Sequence, residues 1–454
     1  MNFQSLSELP QPLISNLNQL RYETMTPIQE AVIPLLLNGK DIIAQAKTGS
    51  GKTASFGIPI IHNIDTKRYH PKAMILCPTR ELADQVAKEL RRLARYKENL
   101  KISTLCGGTP MRPQIASLER GAHILIGTPG RIQDHLSRET IHLKDINTLV
   151  LDEADRMLDM GFYDGIKKIV SNLPKARQGM LFSATYPDHI QKLSKEILNQ
   201  PVMIKVDTDH SEAVIREMAF EVESRDKESA ILSLLKSYKP KTALIFCNTK
   251  ADTVSLADFL RDKQFSALDL QGDLDQRERN ETLLKFANGS IRIMVATDVA
   301  SRGLDVKDIS LVINNDLPHD PEVYTHRIGR TARAGAEGIA ISLYTPREKE
   351  KLLAMAPNVT LLSIKTLSID KRFTIQAEKS TLCIDGGKKN KLRPGDILGA
   401  LSKEIGIAGE QIGKIDIFEF QAYVAIDNRS VAKAFDGLKK GKIKGRKFRI
   451  WWLD

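Results

Sequence analysis

At 454 residues the chain is too long for a single hydrophobic core, and at about 150 residues per domain it suggests roughly three. Its 42% hydrophobic and 27% charged residues are those of a folded globular protein, with no run near about 18 apolar residues to cross a membrane and no secretory pattern over Met1–Pro10, so a cytoplasmic location is expected. The net charge of +11 favours a polyanionic partner, and it is uneven: Ser380–Asp454 holds 15 Lys+Arg against 9 Asp+Glu, the preceding residues 52 against 47.

Along the chain, short apolar runs at Asp41–Ala46, Ala73–Cys77, His123–Gly127, Thr148–Leu151 and Gly179–Phe182 alternate with helical-period stretches. This is the pattern of buried parallel strands with crossover helices, whose ligand sites lie at the carboxyl ends of the strands. The first run leads into AKTGSGKT, comprising Ala46, Lys47, Thr48, Gly49, Ser50, Gly51, Lys52 and Thr53, which opens a helix. Glycines there let backbone N–H groups approach phosphate oxygens, Lys52 reaches the outer phosphates, and the Thr53 hydroxyl suits Mg²⁺. The run Thr148–Leu151 ends in Asp152-Glu153-Ala154-Asp155. Asp152 is expected to hold Mg²⁺ largely through water, and Glu153 to orient the attacking water.

The alternation stops at the polar segment Asp207–Glu212, read as a linker, and restarts at Ala243–Cys247, Ser266–Leu270, Ile291–Ala296, Leu311–Asn314 and Gly338–Leu343. Two successive α/β units are expected, over 1–206 and 213–370. Beyond about Asp370, over 380–454, strands at Thr381–Ile384, Gly413–Phe418, Tyr423–Ile426 and Lys447–Trp451 and helices at Pro394–Ile405 and Ser430–Leu438 give a β-α-β-β-α-β order. Trp451 and Trp452 alternate on a strand, so one is expected to pack inward and the other to lie exposed. Cys77, Cys106, Cys247 and Cys383 form no metal-binding spacing and are read as reduced structural thiols.

Taken with Tyr22 and Thr26-Pro27-Ile28-Gln29 upstream, and with HRIGRTAR at His326–Arg333, these motifs resemble the DEAD-box RNA helicases. The resemblance covers the whole chain and implies an α/β fold of two tandem RecA-like parallel-sheet domains followed by a small α+β RRM-like domain. It further implies that the Gln29 amide reads the adenine edge while an aromatic, Tyr22 with Phe3 beyond it, stacks on the base. An amide pairs with the donor and acceptor of adenine together, so the implied cofactors are ATP and Mg²⁺. By the same resemblance Asp305 touches the ribose, and Arg330 and Arg333 are arginine fingers for the γ-phosphate. Ser183, Thr185, Asp155 and His326 link hydrolysis to strand separation. RNA contacts fall on Arg80, Gly107, Gly108, Thr128, Gly130, Arg131, Gln276, Arg279 and Thr297, largely to the backbone and so without a sequence code. An ATP-gated RNA clamp that does not unwind would carry the same motifs.

The stretches Thr381–Lys389, Arg393–Leu401, Ile412–Ile415 and Gly441–Arg446 resemble a bacterial branch of that family that acts in assembly of the large ribosomal subunit. The implied partners are large-subunit ribosomal RNA, a hairpin of which the tail would hold, and the pre-ribosomal particle. No membrane is implied, and nothing demands more than a monomer. An RRM stacks bases on aromatics of its two central strands. Here the first of these has none and the other keeps only Tyr423. Recognition through basic loops carrying Lys388, Lys389, Arg393, Lys444 and Arg446 is therefore expected, with Tyr423 as the remaining candidate for stacking.

Overall fold

The computed structural model describes all residues except Met1, 47–48, 207–214, 302–308, 332–337 and Asp454. Lys47, Thr48, Asp305, Arg333 and the expected linker thus lie outside the described residues. The chain divides into two compact units, Met1–His210 and Ser211–Asp454.

The first unit contains one parallel sheet of seven strands: β1 (Ile42–Gln45), β2 (Ala73–Leu76), β3 (Ile102–Leu105), β4 (Ile124–Gly127), β5 (Thr148–Leu151), β6 (Gln178–Ser183) and β7 (Val202–Lys205). Their order is β3-β4-β2-β5-β6-β1-β7. The central strands β2 and β4 are buried along their whole length, because helices cover both faces and every position must be apolar or tiny. The helix Arg80–Leu93 shows the matching sequence logic. Ala83, Val86, Ala87, Leu90 and Leu93 are buried at helical spacing, and its other faces are charged. The two edge strands were not apparent as apolar runs. β3 alternates half-buried and buried residues, and β7 buries only Ile204, so neither reads as a continuous core segment.

The second unit holds a similar parallel sheet of β8 (Ile215–Glu221), β9 (Ala243–Phe246), β10 (Ala267–Leu270), β11 (Ile293–Ala296), β12 (Leu311–Asn314), β13 (Gly338–Tyr344) and β14 (Thr360–Leu362). The order is β10-β11-β9-β12-β13-β8-β14, with β8 and β14 again at the side the apolar-run pattern had missed.

The same unit carries a four-stranded antiparallel sheet of β15 (Lys379–Ile384), β16 (Ile412–Ile417), β17 (Ala422–Asp427) and β18 (Ile450–Trp452), ordered β16-β17-β15-β18. Alternation along β15 and β17 sends Leu382, Ile384, Val424 and Ile426 into a core under the helices, and Thr381, Cys383 and Tyr423 to the other face. The helix expected over Pro394–Ile405 is α-helical only to Gly399 and continues as a π turn over Ala400–Glu404. Trp452 packs on Phe435 in the core, with ring centroids 5.6 Å apart. Trp451, on the opposite face, is half-buried against the second large-sheet domain, so neither tryptophan is exposed as one was expected to be.

Both tryptophans of the chain lie on β18, so tryptophan fluorescence reports on this small domain within the intact protein. Leu382 is fully buried and paired with Val424 and Trp452. Leu382→Ala is expected to destabilise the domain by about 2–5 kcal/mol, seen as a lower fluorescence midpoint in urea.

Candidate functional site

In the first unit the sheet order brings β1, β6 and β5 side by side, and each ends in one of the expected motifs. β1 runs into the glycine loop, where Ala46 N donates to Ser183 O at the end of β6, 3.0 Å away. Gly51, with φ of +97°, caps the helix Lys52–Asn63 in the left-handed region. A Cβ there would sit 2.6 Å from Gln29 Nε2 and 2.9 Å from Thr26 Oγ1, so glycine is required on both counts. Lys52 is buried and its ammonium donates to Ala46 O across the loop at 2.9 Å. Thr53 is half-buried in the first turn of the same helix.

Gln29 is buried on the helix Pro27–Leu37 and spends half of its amide on this loop. Its Oε1 accepts from Thr26 N at 2.9 Å and its Nε2 donates to Gly51 O at 3.3 Å, while Thr26 Oγ1 donates to Ser50 O at 2.8 Å. One N–H and one lone pair of the amide are left for a second partner. Phe3 is buried and stands edge-on to Tyr22, with centroids 6.2 Å apart, so it braces Tyr22. The Tyr22 hydroxyl donates to Glu89 at 2.6 Å.

Asp152 leaves the end of β5 fully buried, and burial pushes its carboxyl up to about 7 although Lys52 opposes the shift. Its Oδ1 has no hydrogen-bond partner, and neither has the buried Ser50 Oγ. An orphaned carboxylate oxygen and the Thr53 hydroxyl supply oxygen donors of the kind Mg²⁺ takes, while Lys52 supplies the charge that suits its phosphate, so the residues present fit that ion. Glu153 adopts a left-handed conformation, φ of 53°, as it caps the short helix Ala154–Asp159. Such a backbone is costly for a glutamate. Its Oε2 accepts from Arg156 Nη1 at 2.6 Å, a buried pair that sequence reasoning missed. The i,i+3 spacing at a helix start was the available signal.

Asp155 binds the neighbouring strand end. Its Oδ2 accepts from Ala184 N at 2.9 Å and from Thr185 N at 3.1 Å, its Oδ1 from Arg156 N at 2.9 Å, and its own N–H reaches Ser183 Oγ at 3.3 Å. The residues expected to couple hydrolysis to strand separation in this unit are therefore in direct contact.

The other half of the sheet, β3-β4-β2, gathers the expected RNA contacts at the same edge. Arg80 opens the helix after β2, capped by Thr79 Oγ1, and Arg80 Nη1 is buried without a hydrogen-bond partner. Gly107 and Gly108 follow β3, and Gly108 has φ of +67°. Thr128 precedes the helix Pro129–Ser137 after β4, and Gly130 is exposed in its first turn. Arg131 Nη1 holds Thr109 O at 3.0 Å, joining the last two segments.

In the second unit Gln276 and Arg279 lie in the first turns of the helix Gln276–Asn288. Arg279 Nη2 holds Ala300 O at 2.7 Å, and Thr297 follows β11 with little exposure. His326 sits on the helix Pro321–Ile328, and Arg330 in the turn after it, 7% exposed. Between them Arg327 is 2% exposed. Its guanidinium donates to Asp298 at 2.6 and 2.8 Å, to Asp316 O at 2.6 Å and to Asn248 Oδ1 at 2.8 Å, over the ring of Phe246.

In the small domain Lys388, Lys389, Arg393 and Arg446 are exposed, and Lys444 Nζ holds Lys391 O at 2.9 Å, which joins the two basic loops into one face. Tyr423 requires correction as a base-stacking residue. It is only 6% exposed, packed with Cys383 and Trp451 against Leu284, and its hydroxyl donates to Glu281 at 3.2 Å. Asn288 Nδ2 and Ser290 Oγ close the same face on Thr381 Oγ1, at 2.9 and 2.7 Å. Burial also pushes the Cys383 thiol up to about 12, and all four cysteines are free and buried.

Comparison with known proteins matches residues 26–193 to the DEAD/DEAH box helicase family, 226–335 to the helicase conserved C-terminal domain, and 381–451 to the DbpA RNA binding domain. The chain is 48% identical over 450 residues to the ATP-dependent RNA helicase DbpA of Escherichia coli (strain K12), covering 99% of this chain and 98% of that protein. It is 45% identical over 341 residues to the ATP-dependent RNA helicase CshA of Listeria monocytogenes, covering 75% of this chain and 65% of that protein. Among solved structures, S. cerevisiae Dbp5 bound to RNA and ADP BeF3 is 28% identical with a TM-score of 0.72, over 80% of this chain and 96% of that one.

Arg327→Ala would strip Asp298, Asp316 O, Asn248 Oδ1 and Asn314 Oδ1 of their buried donor. A loss of about 3–5 kcal/mol is expected, read as a lower midpoint for the second unit in thermal circular dichroism. Arg327→Lys, which keeps the charge but not the fork, should fall between.

Proposed function

Since this chain belongs to the DEAD-box ATP-dependent RNA helicases, a family of RNA-stimulated ATPases, we propose that it separates short RNA duplexes during assembly of the large ribosomal subunit, anchored on large-subunit rRNA by its C-terminal domain. The observation that carries this reading is the near-full-length identity to DbpA, which includes the RNA-binding domain at 381–451. The basic face of that domain supports it, since phosphate contact needs clustered lysines and arginines.

In this reading Gln29 and Tyr22 take the adenine, and the remaining N–H and lone pair of Gln29 face its edge. Because the other half of the same amide grips Gly51 and Thr26, base recognition is tied to the shape of the phosphate loop. Gly49 to Thr53 and Lys52 hold the phosphates. Asp152 and Thr53 hold Mg²⁺, which when bound neutralises charge on the phosphate oxygens. Glu153 polarises the attacking water, with Arg156 fixing its carboxylate. Arg330 and Arg333 supply positive charge to the γ-phosphate during turnover, a contribution typically of about 10³–10⁵ in rate. Asp155 carries the change at the hydrolytic carboxylate to Ser183 and Thr185 through the bonds it accepts from Ala184 and Thr185.

Glu153→Gln is expected to bind ATP normally and to lower RNA-stimulated hydrolysis by about 10²–10⁴, measured by phosphate release alongside a nucleotide-binding titration. Brisk turnover by this variant would falsify the catalytic assignment. The substrate is tested by the ATPase rate at fixed salt with three RNAs. These are an rRNA fragment containing the peptidyl-transferase-centre hairpin, the fragment with that hairpin altered, and an unrelated duplex with a single-stranded extension. Stimulation by the first alone is expected. Equal stimulation by all three would remove the ribosomal substrate and leave the ATPase.

A further inference from the structure

The face of the small antiparallel sheet on which a base would stack is closed by the helix Gln276–Asn288 through Leu284, Glu281 and Asn288. The exposed aromatics of this domain are elsewhere, at the turn between β16 and β17. Phe418 is 44% exposed and Phe420 is 61% exposed, the highest value among the exposed large hydrophobic residues described.

This turn is a built feature, locked to the first basic loop by backbone bonds. Lys388 N donates to Phe418 O at 2.8 Å and Lys389 N to Glu419 O at 3.0 Å. The two loops approach so closely that a Cβ on Gly387 would lie 2.4 Å from Phe418 O. Phe418 is further held edge-on to the buried Tyr423, with centroids 5.6 Å apart. The Lys389 ammonium sits 4.4 Å from the centre of the Phe420 ring. Exposed Lys388, Lys391 and Arg393 lie on the same loop as Lys389, and Lys444 ties the second basic loop to it.

We propose that Phe418 and Phe420 form the nucleotide-stacking site of the small domain, taking unpaired RNA bases while the flanking lysines meet the adjoining phosphates. A turn fixed by backbone bonds loses little freedom when a base settles on its rings, and cation and π-face together suit a nucleotide. The lysine rim argues against a protein partner, since lysine is depleted where protein surfaces meet. A duplex offers no free π-face, so the occupant is an unpaired loop or end. This inference rests on the reading of the tail as an RNA-binding module and moves its aromatic contact from the sheet to the hairpin turn.

The test uses the full chain without nucleotide, at fixed salt, and a labelled rRNA fragment containing the peptidyl-transferase-centre hairpin. A parallel set of probes carries abasic sites at single loop positions. Phe420→Ala and Phe418→Ala are each expected to weaken binding by about 5- to 150-fold, and Phe420→Trp to retain it. One abasic probe should lose the same affinity with the native chain and lose nothing further with Phe420→Ala. The salt slope should be unchanged by Phe420→Ala and reduced by Lys389→Ala. Native-level binding by both alanine variants, with the native chain tight and selective, overturns the stacking site and leaves the turn as a protein-docking tip. Failure of the native chain to prefer the fragment over an unrelated duplex takes down the rRNA reading and the stacking site together.

Discussion

A parallel strand can reach its neighbour only through a crossover, so each strand–helix step in a large sheet begins its helix at the same edge. Both large sheets depend on this constraint. In the first it delivers the phosphate loop, the acidic box and the Ser183–Thr185 turn to one stretch of edge, because β1, β6 and β5 are adjacent. The same edge, continued over β2, β4 and β3, receives Arg80, Arg131 and the Gly107–Gly108 turn. Nucleotide chemistry and the proposed backbone recognition are thus neighbours on a single rigid platform, with helix N-termini supplying fixed N–H donors to both.

Within that platform the polar groups are sorted by how completely they are satisfied. Asp155 accepts bonds from three residues and Arg327 donates to several acceptors, so both are well satisfied. Ser50 Oγ, Asp152 Oδ1 and Arg80 Nη1 are buried yet unsatisfied. Leaving a buried polar atom unpaired costs about 1–3 kcal/mol, a cost that a ligand bound at the proposed nucleotide and RNA sites would relieve.

Much of this was legible because buried parallel strands and phosphate loops leave short, local signatures. The runs at Thr148–Leu151 and Leu311–Asn314 coincide with β5 and β12, since a strand covered on both faces has no freedom of composition. The edge strands β3 and β7 were illegible for the converse reason, half or more of their residues being polar or exposed. The buried pair of Glu153 and Arg156, and the grip of Gln29 on Gly51, depend on side-chain directions that spacing does not record. Tyr423 was counted among the RNA contacts because pattern assigns it a sheet face but not what covers that face. Phe418 and Phe420 escaped notice because exposure is a property of the folded chain, and apolar letters at a strand end read as core.

The helix Gln276–Asn288 carries Gln276 and Arg279 in its opening turns and the sheet-face contacts with the small domain in its later ones. Thirteen residues make a rod about 20 Å long. In the proposed function, an rRNA bound by the small domain and a duplex lying on Gln276 and Arg279 would be gauged against a common ruler. Which helix of a large RNA is within reach would then be decided by its distance from the anchor point. A lengthened or shortened stem between the two elements would be rejected on geometry, with no base of it read.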